Sequence, residues 1–201
     1  MNLYLIENKI NSWGDWGEIL WAGFAPWDDN SNLVYIERTG PFTPSIYIAD
    51  GNLIISNEVK LKLEHSSLKG ISFSYKLEKK KIVNIDWSNW DKNENISSYV
   101  DDIHEPEDLI YNNPHDSWTM KNMPDLWLGE IDNRIHLILD RSKKTSNPSD
   151  YIYIENGYKN ESNIDFFMGI ERIGYFITPK AKEWMEKNCP NCFDFFPIEQ
   201  K

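Results

Sequence analysis

The sequence predicts an α+β fold: a mixed, largely antiparallel sheet carrying two short helices from a repeated strand–helix–strand unit. Three observations predict it. The first is that residues 54–73 line up without a gap on residues 176–195. In each copy an apolar pair runs into a hydroxyl residue, Ser56 or Thr178. Such a side chain caps a helix because its oxygen accepts a free amide hydrogen from the first turn. Val59 and Leu63, and likewise Ala181 and Met185, then stand one turn apart on one face, while Lys60 and Glu64, or Lys182 and Glu186, share another. The second observation is a series of short alternating or β-branched runs separated by turn residues. The third is composition: 40% hydrophobic residues with 14% aromatics is enough apolar surface to offset the chain entropy of folding.

In chain order, residues 2–6 read as a first strand, and residues 17–24 as a tryptophan-bearing strand after a turn at Gly14. Short strands at 33–37 and 46–48 are separated by Gly40-Pro41 and Pro44, and Asp50-Gly51-Asn52 turns the chain into the first repeat. After the alternating strand that closes that repeat, Lys79-Lys80-Lys81 reads as a hairpin or connector before a strand at 82–85. Residues 86–118 form a surface excursion rich in Asn, Ser and Pro, with at most a short helix near 97–103. Strands at 126–131 and 134–139 flank Asp132-Asn133, a tight-hairpin signal because both residues tolerate left-handed backbone. A polar loop at 142–150, a strand at 151–155 and a strand at 164–168 lead to the second repeat, where Pro179 suits the first helical position. The expectation is one domain over residues 1–201 with the excursion on its surface.

The start of the chain has no basic residue before its apolar run, which Glu7 interrupts, so neither a signal peptide nor an anchor is expected and the compartment expected is the cytoplasm. Net charge is −11. Between Asp86 and Trp118 stand Asp86, Asp91, Glu94, Asp101, Asp102, Glu105, Glu107, Asp108 and Asp116 against Lys92 alone, nine acids to one base or −8. Such a surface repels nucleic acid and speeds encounter with a basic partner.

Little catalytic chemistry is indicated. Cys189-Pro190-Asn191-Cys192 follows a helix, whereas a redox pair needs its first thiol at a helix N-terminus, and a zinc site needs about four ligands where this motif supplies two. His65, His104, His115 and His136 stand beside no nucleophile motif and at no helical metal spacing. No cofactor and no metal are expected. The tryptophans are less easily set aside. Trp21, Trp127 and Trp184 fit core positions, while Trp87, Trp90 and Trp118, embedded in the acidic stretch, are candidates for an interface.

The hydroxyl-capped helix and following strand, from Ile55-Ser56 through Gly70-Ile71-Ser72-Phe73, together with the Asp86-Trp87 step after the strand at 82–85, resemble immunity proteins of bacterial polymorphic toxin and contact-dependent growth inhibition systems. Leu126-Trp127-Leu128 and the second repeat fit the same plan; the N-terminal tryptophan cluster and the cysteine pair do not. The resemblance implies a non-catalytic cytoplasmic protein that binds and neutralises a cognate toxin domain, many of which are basic nucleases. It carries over no individual contact residue. The acidic residues from Asp86 to Asp116 with Trp87, Trp90 and Trp118 are therefore the expected toxin-binding surface on charge and side-chain type alone. Two other readings compete: a carbohydrate- or small-ligand-binding module, which would show a concave pocket lined by those tryptophans, and an enzyme, in which His104, His115 and nearby carboxylates would converge.

Overall fold

The computed structural model describes residues 2–10, 13–91, 93–100, 105–158, 160 and 162–201. Along the chain run β1 (Leu3–Asn8), α1 (Asp15–Trp21), β2 (Trp27–Asp28), β3 (Leu33–Gly40), β4 (Ile46–Ala49), β5 (Asn52–Ser56), α2 (Asn57–Glu64), β6 (Ser72–Lys76) and β7 (Glu78–Asn84). A 3₁₀ turn at Ile96–Ser98 precedes α3 (Asp108–Tyr111) and α4 (Ser117–Asn122). Then follow β8 (Leu126–Glu130), β9 (Arg134–Ile135), β10 (Leu137–Leu139), a 3₁₀ turn at Pro148–Asp150, β11 (Ile152–Ile154), β12 (Phe166–Gly169), β13 (Tyr175–Ile177), α5 (Pro179–Asn188) and β14 (Phe193–Gln200). The class is α+β, with mixed and largely antiparallel pairing.

The chain divides into two units, each built from discontinuous segments. One takes residues 1–9, 59–74 and 129–201, the other residues 10–58 and 75–128. In the first, a seven-stranded sheet has the order β10-β11-β14-β1-β13-β12-β9. β1 lies inside it, antiparallel to β13 and β14, because Leu3 and Leu5 alternate onto an apolar cluster with Ile152, Ile154, Phe176 and Ile198. Val59, Leu63, Ala181 and Met185 are all buried, and α5 packs on β1 and β13. Thr178 caps α5: its Oγ1 accepts the Ala181 amide hydrogen at 3.3 Å and donates to buried Asp165 at 2.7 Å. The other Asp165 oxygen accepts from the Lys69 amide at 2.9 Å.

The three identities of the repeat recur as one constellation. Lys60 Nζ is 2.7 Å from Glu64 and lies over the Phe73 ring at 5.6 Å; Lys182 Nζ is 2.5 Å from Glu186 and lies over Phe195 at 5.2 Å. An i,i+4 ion pair and a cation–π contact fix the same lysine in both copies.

The second unit holds the sheet β2-β3-β7 and most of the sheet β4-β5-β8-β6. Its core gathers Ile19, Leu20, Val34, Ile36, Ile54, Ile82, Leu109, Ile110 and Leu126 around Trp21 and Trp87.

Four local expectations are corrected. The strand expected at 17–24 is helix α1, because the buried residues Gly17, Ile19, Leu20 and Trp21 form a helical stripe rather than an alternation. Lys79, Lys80 and Lys81 lie within β7, which pairs in parallel with β3. Lys79 Nζ donates to the carbonyls of Met120, Met123 and Pro124 at 3.1–3.2 Å, at the C-terminal end of α4. Asp132-Asn133 makes no hairpin. β8 belongs to the four-stranded sheet, while β9 pairs in parallel with β12, where the Asn133 carbonyl accepts from the Met168 amide at 2.8 Å. Finally, the excursion is not loop alone: α3 and α4 were not expected, and of the short helix expected near 97–103 the described residues up to 100 hold the 3₁₀ turn at Ile96–Ser98, while 101–103 lie outside them.

Candidate functional site

The second unit carries an acidic cleft of about 270 Å³. Helix α1 presents Asp15 and Glu18, three residues apart and so on one side of it. The turn between β4 and β5 supplies Asp50, and the segment before α3 supplies Glu105 and Glu107. Ile19, Phe24 and Pro106 form apolar wall. Among the described residues the lining holds five carboxylates and no lysine or arginine.

Local chemistry fixes each contributor. Asp50 and Gly51 both have positive φ, 47° and 76°, the signature of a two-residue hairpin turn between paired Ala49 and Asn52. Asp50 Oδ2 then accepts the Ala25 amide hydrogen at 2.7 Å, and Asn52 Nδ2 donates to the Ala25 carbonyl at 3.0 Å, holding the turn against the segment after α1. Gly23, in the wall, has φ 64°, and a Cβ there would come within 2.4 Å of Arg38 Cβ and 2.6 Å of the Glu37 carbonyl; no side chain fits.

Beside the cleft Phe24 and Tyr111 stack with centroids 5.2 Å apart and planes 8° from parallel, and Tyr111 is 56% exposed. Its phenol is pushed above its ordinary value, first by partial burial and then by the charges of Glu37, Glu107 and Asp50. The field here is negative over an exposed aromatic ring. Lys81 Nζ donates to the Tyr111 carbonyl at 2.8 Å, so one base stands at the periphery.

The expected site residues divide. Glu105 and Glu107 line the cleft, and Asp108 opens α3 next to it. Asp86 and Asp91 are exposed but bent onto their own turns, accepting from Ser88 and Asn93. Glu94 is exposed and its carbonyl accepts from Trp13 Nε1 at 2.9 Å. Asp116 caps α4 through the Thr119 amide at 2.6 Å, which holds its carboxyl below the usual range. Trp118 is 69% exposed. Asp101 and Asp102, with His104, lie outside the described residues. Trp87 is corrected: it is 1% exposed, packed against Phe42 at 4.8 Å and Trp21 at 5.9 Å, and offers nothing to a partner. Asp15, Glu18 and Asp50 were missed, since they come from distant stretches with no local acidic run; the Asp50-Gly51 turn was the one visible hint.

Trp90 is half-buried in a second hollow of about 450 Å³ with Asn84, Asp86, Tyr99 and Asn113. Tyr99 covers one of its faces, stacked at 4.7 Å and 6°, and Trp13 meets it edge-on at 6.1 Å. Of the core tryptophans Trp21 is buried, while Trp127 and Trp184 are half-buried.

The described histidines meet neighbouring groups of the chain. His115 Nδ1 accepts the Ile82 amide hydrogen at 3.1 Å, His65 Nδ1 donates to the Leu61 carbonyl at 2.7 Å, and His136 Nδ1 meets Glu171 at 2.9 Å. Cys189 and Cys192 are buried reduced thiols flanking a turn after α5. Among the described residues no group of three His, Cys, Asp or Glu side chains could hold a metal ion. Among the described residues, no helix is long and apolar enough to cross a membrane. No known family matches the chain, and neither does any curated protein or solved structure.

Proposed function

We propose that the protein is a non-catalytic cytoplasmic immunity protein that binds and neutralises a cognate toxin domain, and that the acidic cleft of the second unit receives a basic surface of that toxin. The observation that carries this reading is the cleft itself: five carboxylates from three separate parts of the chain, with no lysine or arginine among the described lining residues, beside the exposed Tyr111 ring. Carboxylates spread around a hollow suit lysine and arginine side chains, which bring several donors each, and an exposed aromatic ring adds a cation–π surface. A basic nuclease presents such side chains where it holds its own phosphate substrate, so covering them blocks its activity.

The test uses the polypeptide encoded beside the gene, expressed as its C-terminal domain. Joint reversal of Asp15, Glu18, Glu105 and Glu107 to Lys is expected to slow association roughly tenfold or more and to remove the salt dependence of the rate. The same number of reversals at exposed Glu130, Asp132, Glu155 and Glu183 is expected to change little. An unchanged association rate with full protection of cells rules out the cleft; a gene with no toxin beside it removes the immunity reading.

A carbohydrate-binding module is the second reading, favoured by the hollow that brings Trp90 together with Asn84, Asp86 and Asn113. Sugar binding there requires Tyr99 to leave the Trp90 face it covers. Quenching of tryptophan fluorescence by glycans, lost in Trp90→Ala, separates this reading from the first.

A further inference from the structure

Cys189 and Cys192 belong to the first unit, where α5 gives way to β14. Between them Pro190 and Asn191 take the two central positions of a turn: Asn191 has φ 62°, and the Cys192 amide donates to the Cys189 carbonyl at 3.4 Å. Proline followed by a left-handed asparagine is what a type II turn asks for. Both ends of this turn are tied down. The Cys189 amide donates to the Met185 carbonyl in α5 at 2.7 Å, and the Cys192 carbonyl accepts from the Lys9 amide, just beyond β1, at 3.0 Å. A β-turn keeps its outer Cα atoms within about 7 Å and a disulfide spans about 4.4–6.8 Å between Cα atoms, so two reduced cysteines stand at a backbone separation that a disulfide can bridge.

The surroundings of the two differ. Cys189 borders a hollow of about 490 Å³, whereas Cys192 is not among its described lining residues. Lys9, Glu186 and Asp194 bring charges of both signs to the lining, and Phe193 and Phe195 bring apolar surface. That mixture suits a small peptide disulfide, which carries carboxylates and ammonium groups beside its sulfur atoms. Cys189 is 3% exposed, which slows attack and favours a small reagent over a protein partner.

We propose that Cys189 and Cys192 form a reversible disulfide site, oxidised by a low-molecular-weight disulfide of the glutathione class that enters the hollow at Cys189. Cys189, having released its proton to water, attacks one sulfur of the reagent; that bond breaks, and the first thiolate leaves and is protonated. Cys192, likewise deprotonated, attacks the Cys189 sulfur of the mixed disulfide and expels the second thiolate. Two protein thiols are oxidised and one reagent disulfide is reduced to two thiols. A catalyst of thiol exchange needs its first thiol at a helix N-terminus, but a bond that forms once and is later reduced does not, so the position after α5 allows this role. The inference does not rest on the toxin-binding reading, since the acidic cleft belongs to the second unit.

The probe is glutathione disulfide in excess over the reduced, folded protein, with quenching by iodoacetamide followed by intact mass and peptide mapping. Both thiols are expected to be lost, with a Cys189–Cys192 cross-link inside one chain that dithiothreitol reverses. Cys192→Ser is expected to stop at one glutathione on Cys189, and Cys189→Ser to react at Cys192 roughly tenfold or more slowly, because only Cys189 borders the hollow. Should either variant fail to fold, the map of the unmodified protein and its urea dependence decide. A rate unchanged by sub-denaturing urea supports reaction in the folded state, and one that climbs as steeply as global unfolding overturns it. Thiols that persist in the folded protein, stable glutathione adducts without the internal bond, or a link between two chains also overturn it.

Discussion

Thr178 accepts the Ala181 amide hydrogen, donates to Asp165, and through that carboxylate is connected to the Lys69 amide. It is 7% exposed, so its removal leaves buried groups short of a partner. Thr178→Ala is expected to destabilise the fold by about 1–2 kcal/mol, the upper part of the range for a lost cap; urea unfolding at constant m-value checks it, and Thr178→Ser is expected to restore most of the loss. The cap was legible in the sequence because N-cap chemistry is local. The second role of Thr178 was not, because Asp165 announces its partner nowhere in its own neighbourhood. Trp87 gives the same lesson from the other side. Among acidic and polar neighbours it reads as a surface anchor, yet the rings that bury it, Phe42 and Trp21, come from 45 and 66 positions earlier in the chain.

Helices α2 and α5 were legible because a turn-spaced apolar pair, a hydroxyl cap and an i,i+4 ion pair agree within ten residues. Leu63 is 4% exposed and Met185 0%. Replacing either by Ala is expected to cost about 2–5 kcal/mol, read from chemical denaturation, and a change near zero for both would deny these helices their place in the core. Helix α1 was misread because Ile19, Trp21 and Phe24 favour a strand on local grounds, and what decides for the helix is which residues the core takes up. β8 and β9 flank a sound turn signal but join different sheets, since pairing depends on partners that a short-range pattern does not contain. The acidic cleft failed to show for a related reason: a charge run is visible along the sequence, whereas Asp15, Glu18 and Asp50 meet Glu105 and Glu107 only after folding.

For the whole molecule, several carboxylates are held below their ordinary values. The Lys80 ammonium lowers Asp28 from 3.8 to about 2. The Thr119 amide lowers Asp116, the Ser142 hydroxyl lowers Asp140, and the His136 ring lowers Glu171. A folded-state value below the unfolded one means that the unfolded chain takes up protons first as pH falls. The stabilisation is therefore complete above the ordinary carboxylate range and is lost as pH drops from there through the lowered values, down to about 2 for Asp28. Protonation also relieves the repulsion within a chain of net charge −11, which acts in the opposite sense. Tm is expected to hold from pH 7 to about 5 and to fall steeply below about 4. Asp28→Asn is expected to flatten the lowest part of that profile, and a profile unchanged by it assigns the acid sensitivity to the other carboxylates.

The threading of β1 has a consequence for the order of synthesis. Its neighbours in the sheet, β13 and β14, begin 172 and 190 positions later at Tyr175 and Phe193. A ribosome therefore releases β1 with neither of these neighbours to dock on and must add the 172 positions to Tyr175 before one arrives. Until then an apolar segment waits unsatisfied, within reach of chaperones or of other nascent chains, and the seven-stranded sheet can close only after translation has passed Gln200.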